Sequence, residues 1–177
     1  MKVKFSKGGR APLFNFILGR PKYIGRYIGK TTRKSSVFVK FNNNCTYNGG
    51  VSDKLNILFG YTLGGSFRTY VGWRYVVSTG RIELYLSAED AGKYTYQRFI
   101  SSMDLNTGYY VDLHIDVIRD TITAKITKTL NQSLSFDAKI ENVLGRAPLG
   151  MSYCMSPKLN INCFPEKEME ITLERIR

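Results

Sequence analysis

Histidine, tryptophan and cysteine are scarce in this 177-residue sequence, which has one His, one Trp and three Cys. A single histidine leaves a serine or cysteine triad with one candidate base. Neither a Gly-x-Ser-x-Gly elbow nor a phosphate-binding glycine loop is found elsewhere. Cys45, Cys154 and Cys163 cannot all pair within one chain, and they lack the close spacing of a zinc site. They read as reduced thiols, with a Cys154–Cys163 bridge as the alternative. No apolar run approaches the roughly 20 residues of a membrane span, and the best stretch, residues 12–19, is interrupted by Asn15. The basic N-terminus has no apolar region and cleavage site behind it, so Met1 reads as the start of an unexported protein. Acid is missing from residues 1–52, which carry eleven Lys or Arg, while all 14 acids lie later against 15 bases. The formal charge of +12 therefore sits in the first third, the pattern of a basic arm on a near-neutral domain.

What is present is alternation. From about Ser36 onward apolar residues recur with period two: Val37, Val39 and Phe41; Ile82, Leu84 and Leu86 opposite Arg81, Glu83 and Tyr85; Val111, Leu113, Ile115 and Val117 opposite Asp112, His114 and Asp116. Near the end Met169, Ile171 and Leu173 alternate with Glu168, Glu170, Thr172 and Glu174. Such runs are half-buried antiparallel strands with one wet face. Further strands are expected over 55–61, 67–77, 94–100, 121–128, 133–140, 151–155 and 159–163, with a hairpin turning near Arg119-Asp120. The expected fold is all-β: a two-sheet antiparallel sandwich, jelly-roll or concanavalin-like. Residues 1–35 are expected to form an extended basic arm and residues 36–177 the sandwich domain.

Two constellations resemble catalytic or metal sites and are set aside. In Asp112-x-His114-x-Asp116 the outer residues lie roughly 13 Å apart on a strand, at about 3.3 Å per residue, too far for one metal's ligand shell. The carboxylates Glu166, Glu168, Glu170 and Glu174 share a strand face, as in sandwich glycoside hydrolases, but the Glu-x-Asp-x-Glu order is missing. No catalytic set, metal or cofactor is assigned. Trp73, Tyr75 and Tyr85 can offer stacking faces to a glycan, although a lone Trp amid alternating apolar residues reads as core.

Residues 22–29 repeat a four-residue unit, Lys-Tyr-Ile-Gly and then Arg-Tyr-Ile-Gly. An even period on an extended chain puts Lys22, Ile24, Arg26, Ile28 and Lys30 on one side and Tyr23 and Tyr27 on the other. Helix is disfavoured, because Gly25 and Gly29 cost roughly 1 kcal/mol each relative to Ala. With Arg33 and Lys34 this stretch forms the candidate partner-binding site. The aliphatic residues between its cations favour an acidic, partly apolar protein groove over a bare polyanion.

The stretch 53–86, through Asn56, Leu58, Phe59, Gly60, Gly72, Trp73, Ile82, Glu83 and Tyr85, resembles a β-sandwich domain family of Bacteroidetes and their crAss-like phages. With the arm-plus-sandwich layout, the resemblance implies a non-enzymatic assembly protein, an auxiliary (decoration) capsid subunit of a virion made in the host cytoplasm. Its partners would be other protein chains of a large assembly, with no membrane. A carbohydrate-binding lectin-like module is the first alternative, and a nucleic-acid-binding protein the second.

Overall fold

The structure, a computed structural model, describes residues 2–5, 7, 22–24, 32–46, 55–64, 66–90, 94–129, 131–146, 150–155, 157–159 and 167–176. Within them lie twelve strands: β1 (Lys2–Phe5), β2 (Lys22–Ile24), β3 (Thr32–Phe41), β4 (Asn56–Leu63), β5 (Phe67–Val76), β6 (Arg81–Asp90), β7 (Tyr94–Met103), β8 (Gly108–Asp116), β9 (Thr121–Lys128), β10 (Asn131–Glu141), β11 (Gly150–Met155) and β12 (Met169–Ile176). A single 3-10 turn, Leu144–Arg146, is the one helical element among the described residues.

The strands form two six-stranded sheets. Sheet A runs β1-β12-β3-β8-β9-β10 and sheet B runs β2-β11-β4-β5-β6-β7, with every pairing antiparallel. The expected all-β sandwich is therefore what the chain builds, and the period-two residues account for it. Val37, Val39, Phe41, Val111, Leu113, Ile115, Met169, Ile171 and Leu173 are buried from sheet A, and Phe59, Tyr61, Val71, Trp73, Ile82, Leu84 and Leu86 from sheet B. Trp73 packs on Phe41 across the sandwich with centroids 4.9 Å apart, so it is core and offers no face to a ligand. The hairpin turns over Val117–Asp120, with Asp120 in the left-handed region at φ 48°. Cys45 is buried and free, and burial first of all pushes its thiol up to about 12. Cys154 is also free, and Cys163 lies outside the described residues.

Three described pieces of the expected arm, residues 1–35, are strands of the two sheets. β1 pairs with β12, from Lys2 opposite Thr172 to Phe5 opposite Met169, and it buries Val3 and Phe5 in the core. β2 pairs with β11, and β3 begins at Thr32. Alternation supplies the reason: in Lys-Val-Lys-Phe the cations point outward while the apolar pair completes the core. Outward, Lys2 meets Glu170 at 2.9 Å and Lys4 meets Glu168 at 2.8 Å. The hydrogen bond from Lys2, with further help from Asn42 and Lys4, holds the Glu170 carboxyl below its ordinary 4.5.

Candidate functional site

The residues singled out around the Tyr-Ile-Gly repeat do not meet on one described surface. Lys22, Tyr23 and Ile24 are extended, as the even period expects, and pair in β2 with Ser152, Met151 and Gly150 at the edge of sheet B. Arg26, Tyr27, Ile28 and Lys30 lie outside the described residues. Arg33 and Lys34 belong to β3 in sheet A. Arg33 shares the parity of Val37 and Val39 and is half-buried. Its Cζ lies 5.0 Å from the Tyr61 ring centroid and its Nη2 3.9 Å from Cys154 Sγ. Beside it the hydroxyls of Ser35 and Tyr61 hydrogen-bond. Lys34 is exposed on the outer face, opposite His114 in register.

Several carboxylates of the two constellations set aside on sequence grounds have partners within the chain. Asp112 accepts from the Ser36 hydroxyl, while Asp116 accepts from the Arg119 backbone N–H at 3.0 Å. No group of three metal-ligating side chains occurs among the described residues. Of the C-terminal carboxylates, Glu168 and Glu170 are taken up by Lys2, Lys4 and Asn42, and Glu166 lies outside the described residues.

A more organised surface lies on the outward face of sheet B. Register pairs Arg68 with Glu89, Tyr70 with Ser87, Gly72 with Tyr85 and Arg74 with Glu83 across β5 and β6. Since alternate residues of both strands fill the core, these partners form one ladder on the opposite side. Arg74 donates to Glu83 Oε2 from Nε at 2.8 Å and approaches it with Nη2 at 2.7 Å. Tyr85 donates its hydroxyl to the same oxygen at 2.6 Å. The Arg74 guanidinium also lies over the Tyr85 ring, 5.0 Å from its centroid. Burial alone would raise the Glu83 carboxyl, but the Tyr85 and Arg74 hydrogen bonds and the Arg74 charge hold it below 4.5. Burial and donation to Glu83 push Tyr85 up to about 12, so at neutral pH it is a fixed donor.

Phe99 extends this cluster from β7. A register shift between Leu84 and Tyr85 brings it opposite Tyr85, with rings edge to face at 5.6 Å. Phe99 remains 52% exposed. Further along the ladder Arg68 approaches Glu89 at 3.6 Å and Tyr70 donates to it at 3.5 Å. Tyr70 is buried and packs close to two glycines. A Cβ on Gly60 would come within 2.4 Å of the Tyr70 Cβ, and one on Gly72 within 3.1 Å of its ring. The face thus offers two aromatic rings beside hydrogen-bonding groups of fixed orientation, and Arg68 and Arg74 balance Glu89 and Glu83 in charge.

Solved structures share this architecture. An alginate lyase from Klebsiella pneumoniae superposes with a TM-score of 0.57 at 7% identity, over 81% of this chain and 59% of the lyase. A basic winged bean lectin solved with Tn-antigen superposes with a TM-score of 0.54 at 8% identity, over 98% of this chain and 83% of the lectin. The fold is a concanavalin-like β-sandwich. The chain spans little more than half the length of the lyase, and at these identities the likeness concerns fold alone. No family model matches the sequence, and no curated protein matches it in sequence.

Proposed function

We propose that this concanavalin-like sandwich is a carbohydrate-binding module that reads neutral glycans on the outward face of sheet B without turning them over. The observation that supports this most is the Arg74–Glu83–Tyr85–Phe99 cluster. Sugars need an apolar ring to cover their C–H faces and pre-oriented polar groups to reach their hydroxyls, and this cluster has both within one strand register. Balanced charge on the β5–β6 ladder favours a neutral sugar over a polyanion such as alginate. The fold shared with a lectin points the same way.

A decoration subunit of a capsid is the reading that the arm-plus-sandwich layout and the family resemblance support. Of the cations in that arm, Lys2 and Lys4 have carboxylate partners within their own chain, and the polar and aromatic cluster on sheet B makes carbohydrate binding the preferred reading. Membership in the β-sandwich family of Bacteroidetes and their crAss-like phages is compatible with either role.

Screening the full chain against an array of neutral and anionic glycans, followed by calorimetry, tests the proposal. A neutral glycan should bind, and Tyr85→Ala should weaken it about tenfold, since it removes the apolar ring and the hydroxyl that orients Glu83. Incubation with alginate should release no unsaturated sugar ends. A blank array, or binding that Tyr85→Ala and Phe99→Ala both leave intact, rejects this face as the site.

A further inference from the structure

We infer that the cleft between the sheet edges β7 and β10 binds a small amphiphile: one short apolar chain or ring carrying a carboxylate. β7 ends sheet B and β10 ends sheet A, and a cavity of about 340 Å³ opens between them. That volume is within the range of roughly 300–1,000 Å³ of small-molecule sites. Leu134 and Phe136, on the inward parity of β10, are 44% and 47% exposed there, and Phe99 closes the opposite wall. Ile126, buried in β9, forms part of the lining. Three large apolar side chains left half in water around one cavity favour an apolar occupant.

Charge selects the rest of the ligand. Asp104, in the turn after β7, is shared by Arg81 at 3.0 Å and Lys128 at 3.4 Å, and both cations line the same cavity. Two cations on one carboxylate leave a net positive charge beside an apolar wall. The Tyr109 hydroxyl, 3.4 Å from Asp104 Oδ2 and 3.2 Å from the Asp104 backbone N–H, fixes the position of that carboxylate. An ammonium has three donors, and Lys128 reaches Asp104 at the long end of hydrogen-bond distance, so it can turn toward an incoming anion. A neutral apolar molecule would leave this charge unused, and a sugar would meet too much hydrocarbon. The site is separate from the Arg74–Glu83–Tyr85 cluster, although Phe99 borders both.

Calorimetry on the full chain with decanoate and with decanol provides the test. Decanoate should bind at least tenfold more tightly than decanol. Lys128→Gln should cost decanoate about tenfold, as expected for a hydrogen bond to a charged group, and leave decanol unchanged. Phe136→Ser should weaken both ligands. Asp104→Asn frees two cations and should tighten decanoate severalfold, a gain that misfolding cannot produce. Equal affinity for the two ligands, or decanoate binding indifferent to Lys128→Gln and Asp104→Asn, overturns the inference. Lys128-dependent co-sedimentation with anionic phospholipid vesicles, with no binding of free decanoate, overturns it too, in favour of a membrane surface.

Discussion

At one edge of sheet A, β1 turns two cations outward onto carboxylates of β12 and two apolar side chains into the core. At the other edge, β10 leaves Leu134 and Phe136 half in water beside Phe99 of β7. Both are edge strands of the described sheet and both carry charge outward, Lys2 and Lys4 on β1 and Asp137, Lys139 and Glu141 on β10, but only β1 buries all of its apolar side chains. The difference shows that local charge and local burial are independent variables in a strand. Lys-Val-Lys-Phe is among the most basic stretches of the molecule and also part of its core, because period-two alternation sends the two properties to opposite faces.

The strongest way to break this comparison is to truncate an apolar side chain at each edge. Phe5→Ala should lower stability by about 3–5 kcal/mol, the usual cost of emptying a buried phenylalanine site, measured by urea denaturation. A loss below about 1 kcal/mol would mean that β1 is not part of the folded core. A milder test acts on the ion pairs of the same edge. Glu170 titrates below its ordinary 4.5 in the folded chain, so its contribution is fully present above that value and is lost as pH falls through the depressed folded pKa. Glu170→Gln should therefore cost about 1–2 kcal/mol at neutral pH, because a buried carboxylate loses charge-assisted bonds to the exposed Lys2 and to Asn42. The gap between wild type and variant should close as the pH is taken below about 4, and a gap that persists in acid would assign the effect to packing. The smallest effect belongs to the open edge, where Leu134→Ser should change stability by no more than about 0.5 kcal/mol. A loss comparable with that of Phe5→Ala would erase the distinction between the edges.

The fold was legible because its strands are long and alternate cleanly, as in Ile82, Leu84 and Leu86 or Val111, Leu113 and Ile115. β1 was not, since four residues give only two apolar positions and their lysines belong to the charge excess that suggested an arm. The setting of Arg33 was hidden for a related reason. Counting back by twos from Val37 through Ser35 reaches Arg33 on the inward face, but the expected strand stopped at Ser36, and nothing local says that an arginine will rest on Tyr61. At the candidate site, Glu83 and Tyr85 could be placed on the wet face from sequence. Phe99 could not, because its approach to Tyr85 depends on a register shift between β6 and β7, which no single strand encodes.

The pairing of β1 with β12 also has a consequence in time. Lys4 and Glu168 are 164 positions apart, so β1 is synthesised long before the strand it pairs with. At a synthesis rate of roughly 5–20 residues per second, β1 waits about 8–33 s on the ribosome before β12 exists to receive it. Through that interval Val3 and Phe5 lack the strand that holds them in place, and Lys2 and Lys4 keep this segment charged until sheet A can close.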